Sequence, residues 1–233
     1  MPKVASDAVL RSFSERLFAL HPGFRPTRAL YLDFEGSENN ERILSLFWPQ
    51  RAGDDRFRML WRGISDDYAL DAEGLSGVLA EFDCDPKLLR WVVVFSGGIL
   101  VPEEQTRFEA QFGSEIFPAA EWVNLHLAIR ICPPMARSIR EHKNVWFTKN
   151  QTMVRKSLEA LELEFGLQRP PAMRSRSHSY ADGLEGEMGI LELEARLVGG
   201  RATEQEADLL AKYCEWDVRS MFQIARKCER LLR

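Results

Sequence analysis

Two carboxylates stand two residues apart in the stretch Ala29–Gly36, ALYLDFEG. Side chains alternate across a β-strand, so Asp33 and Glu35 share one face while Leu30, Leu32 and Phe34 share the other. Adjacent acids repel, and a divalent cation held between or beyond them relieves that repulsion. The same trio also suits a strand surfacing at its end, with solvated acids and Gly36 opening a turn. Near the other end of the chain, KYCEWDV (Lys212–Val218) carries Tyr213 and Asp217 one helical turn apart. Leu210, Cys214, Val218, Met221, Phe222 and Ala225 form the apolar stripe of that helix, with Tyr213 and Asp217 on a neighbouring stripe at its edge. Alone, this Tyr-Asp pair fits surface decoration or a local side-chain hydrogen bond. Beside a strand bearing Asp-x-Glu it belongs to a constellation able to cage cations.

The intervening elements decide whether the two ends can meet. Ser6 to about Leu20 spaces Val9, Leu10, Phe13, Leu17 and Leu20 as a helix, which His21-Pro22-Gly23 ends. After the strand at Ala29–Gly36, Glu41–Trp48 and Arg56–Arg62 are two further strands in a meander. In the latter, Phe57, Met59 and Trp61 alternate with arginines, which predicts one buried face. Leu75, Val78, Leu79 and Phe82 then mark a helix, and WVVVF (Trp91–Phe95) is a strand buried on both faces. Pro102 to Gly113 reads as a helix. A second runs from about Pro118 to Ile131, closed by Pro133-Pro134, and a third from Thr152 to Phe165, with Gly166 just past its end. The following stretch to Ala181 holds Arg169, Arg174, Arg176 and His178 and no acid. It is either a solvated serine-rich connector or a phosphate-contacting loop. A helix from Leu184 to Val198 follows, and Thr203 with Glu206 forms a capping box that opens the last, long helix.

Composition bounds the function. At 233 residues, 45% hydrophobic and 28% charged, the chain is globular. It divides into a helical N-terminal extension over 1–28 and a main domain over 29–233. No run approaches the roughly 18 apolar residues of a membrane span, and MPKVASDAVL lacks an apolar signal core, so a cytoplasmic protein with no membrane partner is expected. Cys84, Cys132, Cys214 and Cys228 are too scattered for a zinc knuckle or a disulfide framework and read as buried thiols. A net charge of −4 argues against coating nucleic acid by bulk electrostatics while allowing a local basic groove.

Taken in order, these motifs resemble the RNase H-like 3′–5′ exonucleases of the DEDD group, in the subclass with tyrosine in the last motif. The likeness is to the branch of nucleases found alone or joined to RecB-type nucleases and helicases. Asp33 and Glu35 match that branch's first motif, Asp-x-Glu at the end of the first strand. Tyr213, Asp217 and Val218 match its last, Tyr-x-x-x-Asp-Val, and KSLEALELEFGLQRP (Lys156–Pro170) is similar to a Ser-Leu to Arg-Pro segment ahead of that helix. The middle motif, Asn-x-x-x-Phe followed by an acid, has no match in FSGGILVPEEQTRF (Phe95–Phe108). Glu104 is the best substitute, because EQTRF resembles the helix start in some relatives. Glu103 competes, and either also fits an ordinary acid in a helix's first turn.

The resemblance implies an α/β, RNase H-like fold with a mixed central sheet, β-β-β-α-β and then helices, and helices on both faces. It implies two Mg²⁺ or Mn²⁺ ions held by Asp33, Glu35, Asp217 and Glu104, one activating a water and the other stabilising the leaving 3′-oxygen. Tyr213 would orient the attacking water, since a phenol is mostly protonated at neutral pH. Arg174, Arg176 or His178 would hold a substrate phosphate. The expected activity is metal-dependent 3′–5′ exonuclease hydrolysis of DNA or RNA from a single-stranded 3′ end. A catalytically weakened module binding nucleic acid or a protein partner in a repair or defence assembly, and an endonuclease on the same fold, stand as alternatives.

Overall fold

The computed structural model describes residues 4–37, 40–49, 56–61, 69–97, 101–146, 158–170, 193, 196–197, 199–201 and 203–233. Helix α1 (Asp7–Leu20) and a short 3₁₀ turn (Pro26–Arg28) lead into β1 (Leu30–Ser37), β2 (Asn40–Trp48) and β3 (Arg56–Trp61). Then come α2 (Ala72–Glu81), β4 (Trp91–Val94), α3 (Glu103–Phe112), β5 (Glu121–Asn124), α4 (Leu125–Arg130), α5 (Pro133–Trp146), α6 (Leu158–Glu164) and α7 (Glu204–Leu231).

The strands form one five-stranded mixed sheet in the order β3-β2-β1-β4-β5. β1 to β3 are an antiparallel meander, while β4 and β5 run parallel to β1. This order makes β1 the central strand. It also brings the C-terminal ends of β1, β4 and β5 to one edge, where open α/β sheets bind ligands.

Alternation along β1 sorts the core into two layers. Leu30, Leu32 and Phe34 lie on one side with Leu75, Val78 and Leu79 of α2 and Phe108 and Phe112 of α3. Tyr31 lies on the other with Leu10, Phe13 and Leu17 of α1, residues of α4 to α6, and Val218, Met221 and Ile224 of α7. Helices therefore cover both faces, and β4, sandwiched between them, is buried at all four positions. Tyr31 and Phe47 each meet Phe222 at 5.5 and 5.4 Å between ring centroids, which fixes α7 across β1 and β2.

Three expectations need correction. The helix expected over Pro118–Ile131 is a strand followed directly by a helix. Trp122, Leu125 and Ile129 mimic helical spacing, and only the partner strand β4 supplies the ladder that makes Glu121–Asn124 extended. The helix does end at its cap Ile131, two residues before Pro133, but Pro133-Pro134 also opens α5, because a proline costs no hydrogen bond in a first turn. In β3 the fully buried residue is Leu60, while Phe57, Met59 and Trp61 are half-buried. The helix expected from Thr152 is described from Leu158 onward, and most of the one expected over Leu184–Val198 lies outside the described residues. The four cysteines are buried and none is in a disulfide. Among the described residues, no helix is long and apolar enough to cross a membrane.

Candidate metal centre

The first acid pair owes its position to β1. Asp33 pairs across the ladder with Ser45 and Glu35 with Ile43, and the register slips immediately after Glu35. Such a bulge ends regular pairing and re-aims the chain. Because their face is the one α7 covers, both acids look toward the last helix. Ile43 joins Leu210, Tyr213 and Cys214 in a small apolar cluster, seating that part of α7 over the C-terminal half of β1.

Helix α7 begins where the sequence predicts. Thr203 accepts a hydrogen bond from the Glu206 N–H (3.3 Å), and the Glu206 carboxylate accepts from the Thr203 N–H (2.6 Å), completing the capping box. From that start Tyr213 and Asp217 turn inward. They are buried, not set at the edge of the apolar face as the helical pattern alone suggests. Asp33, Glu35 and Asp217 each offer a carboxylate oxygen within 4.8 Å of the others. Glu35 and Asp217 are buried and Asp33 is half-buried. Residues from the two ends of the chain thus converge on one point.

A cation reaches this cluster from an unexpected direction. Helix α6 stops at Gly166, whose φ of +71° belongs to the left-handed region. The Gly166 N–H bonds the Leu163 carbonyl (3.0 Å) and the Leu167 N–H bonds the Glu162 carbonyl (2.8 Å), the hydrogen-bond pattern of a Schellman cap. This reversal folds the chain back along α6. Arg169 then donates to both oxygens of Glu162, from Nε at 3.1 Å and Nη2 at 2.7 Å. Its Nη2 also donates to Asp217, and the guanidinium sits 5.3 Å from the centre of the Tyr213 ring. Burial lowers the guanidinium's pKa, but Asp217 and Glu162 outweigh burial and hold it well above its ordinary value.

Arg169 belongs by sequence to a positive loop open to solvent or phosphate, yet it is an internal cation, only 5% exposed. Glu162 is fully buried, and nothing in its sequence position sets it apart from the neighbouring acids of α6. The signal available was the Lys156–Pro170 segment, which holds both residues.

Glu104 is not among the acids whose oxygens lie within 4.8 Å of one another. It sits in the first turn of α3, its N–H bonded to the Ser96 hydroxyl (3.2 Å) just past β4. One of its carboxylate oxygens is buried with no hydrogen-bond partner among the described residues. Burial, with Glu103 adding to it and Arg107 opposing, pushes its pKa up to about 7. Ser96 is anchored in turn by Asn124 at the end of β5. The Asn124 amide oxygen accepts from the Ser96 N–H (3.2 Å) and its amide nitrogen donates to the Ser96 carbonyl (3.1 Å). The proposed phosphate contacts Arg174, Arg176 and His178 lie outside the described residues.

Three convergent carboxylates are a hard-oxygen donor set of the kind that suits Mg²⁺ or Mn²⁺. A further polar group accompanies them: the Ser45 hydroxyl, on Asp33's face of the ladder, is buried with no hydrogen-bond partner among the described residues. In comparisons with known proteins the chain matches no family model, no curated protein and no solved structure.

Proposed function

We propose that this protein is a metal-dependent 3′–5′ exonuclease of RNase H-like architecture, hydrolysing phosphodiester bonds of DNA or RNA. The convergence of Asp33, Glu35 and Asp217 at the end of the central strand carries the reading. The sheet order and the two-sided helical cover are compatible with that architecture. Asp33, Glu35 and Asp217 would hold the cations, which when bound supply an activated water and stabilise charge on the phosphate and leaving oxygen. Asp33 and Glu35 ride on a rigid strand and Asp217 on a long helix, so their carboxylates need little reorganisation to bind. Tyr213, one turn before Asp217, is the proton-bearing hydroxyl that would orient water. Glu104 keeps a buried carboxyl beside the C-terminal end of β4, on the edge where a substrate strand would approach.

The test is degradation of a 3′-labelled single strand by purified protein. Shortening in Mn²⁺ and none in EDTA is expected, with loss of activity in Asp33→Ala and in Asp217→Ala. Equal activity in those variants and wild type removes the proposal. Cutting of a circular single strand would point instead to an endonuclease. A second reading, a binding module without activity, is favoured by one observation: Glu104 does not join the acid trio. It predicts retention of single-stranded nucleic acid with no shortening in Mn²⁺.

A further inference from the structure

The Lys156–Pro170 segment contributes nothing to the chemistry outlined above, yet it delivers two buried charges to the acid cluster. Glu162 is fully buried and Arg169 is 5% exposed. A buried ion pair adds little net stability, because desolvation of both charges cancels much of their attraction, and its best-attested use is to fix one geometry. Here the two-point contact with Glu162 already orients the guanidinium fork. The same fork reaches past it to Asp217 on α7 and lies against the Tyr213 ring. One side chain therefore touches both residues of the Tyr-x-x-x-Asp motif from a separate element.

We propose that Glu162 and Arg169 form a charge-neutral clamp that positions Asp217 and Tyr213 for cation binding. The inference rests on the metal-centre reading and extends it to these two residues. Glu162 does two things in the clamp. It holds the guanidinium plane in register through both oxygens, and it cancels the positive charge that would otherwise repel an incoming cation. Arg169 in turn restrains the Asp217 carboxylate, which sits on a helix, relative to the acids of the central strand. Groups that orient metal ligands without touching the metal commonly change affinity about 10- to 100-fold when removed.

The test is direct titration of the full chain with Mn²⁺ alone, read as loss of the free-ion electron paramagnetic resonance signal, with circular dichroism as a check on folding. The double variant Glu162→Gln/Arg169→Gln removes one charge of each sign and leaves the net charge of the group unchanged. It is expected to bind Mn²⁺ about 10- to 100-fold more weakly than wild type. Arg169→Lys keeps the charge that Glu162 needs but loses the planar fork. Its affinity is expected to fall between the other two, and it decides the matter if the double variant does not fold. Wild-type affinity in either folded variant overturns the clamp while leaving the metal centre intact. Absence of Mn²⁺ binding by wild type overturns both. Mn²⁺ binding that follows the expected order in a protein without nuclease activity supports the clamp and rejects the exonuclease.

Discussion

Replacing Asp33 by asparagine should stabilise the metal-free protein while removing its response to metal. Asp33, Glu35 and Asp217 present oxygens within 4.8 Å of one another. At that separation and an effective dielectric constant of about 20, each pair of like charges repels by about 3.5 kcal/mol. Asparagine keeps the side chain's shape and relieves two of those repulsions. Asp33 is half-buried, so solvent screening and lost contacts to its neighbours reduce the net gain to about 1–2 kcal/mol. For a chain of this length that is a rise in Tm of about 2–4 °C. Wild type should instead gain about 2.7 kcal/mol when Mn²⁺ is added at roughly 100 times its Kd. Thermal unfolding followed by circular dichroism, in EDTA and in Mn²⁺, reads both effects. The order of stability should invert: the variant melts higher in EDTA and gains little from Mn²⁺. A variant that melts below wild type in EDTA, or that gains as much from Mn²⁺, refutes the electrostatic reasoning.

Glu104 and Asn124 give two further tests at the neighbouring strand ends. Because the folded pKa of Glu104 is raised to about 7 from 4.5, the folded state holds a proton that the unfolded chain releases. The stability this confers is full below about pH 4.5 and is lost as pH rises through about 7, an effect on the order of 3 kcal/mol. Denaturant unfolding across that range should show Glu104→Gln with a flatter pH dependence than wild type, and a constant offset between the two would refute it. Asn124→Ala removes the bridge to both backbone groups of Ser96 and the cap on α4, where its side chain also accepts from the His126 N–H at 3.0 Å. The Ser96 carbonyl keeps the His126 ring nitrogen at 2.9 Å, so the loss falls on the Ser96 and His126 N–H groups; leaving these without their acceptor should cost about 1–3 kcal/mol, measured by denaturant unfolding, and an unchanged midpoint would show that the bridge carries no stability.

What the sequence determined by itself is what depends on near neighbours. Alternation put Asp33 and Glu35 on one face of β1, the Thr203–Glu206 box opened α7, and Gly166 ended α6, because pleat, cap and left-handed turn are each set within a few residues. Tertiary structure alone decided what depends on partners brought from afar. Glu121–Asn124 became a strand only because β4 lay ready to pair with it, while its apolar spacing equally suited a helix. Arg169 stood in an acid-free run and read as a surface cation, but its partners lie on the preceding helix and on α7, and only the turn at Gly166 aims it inward. The depth of Tyr213 and Asp217 was likewise invisible to helical periodicity, which ranks the faces of one helix without knowing how far the sheet wraps around them. Whether distant acids repel in solution or converge on one point is a question of Coulomb energy at a separation that only the folded chain sets.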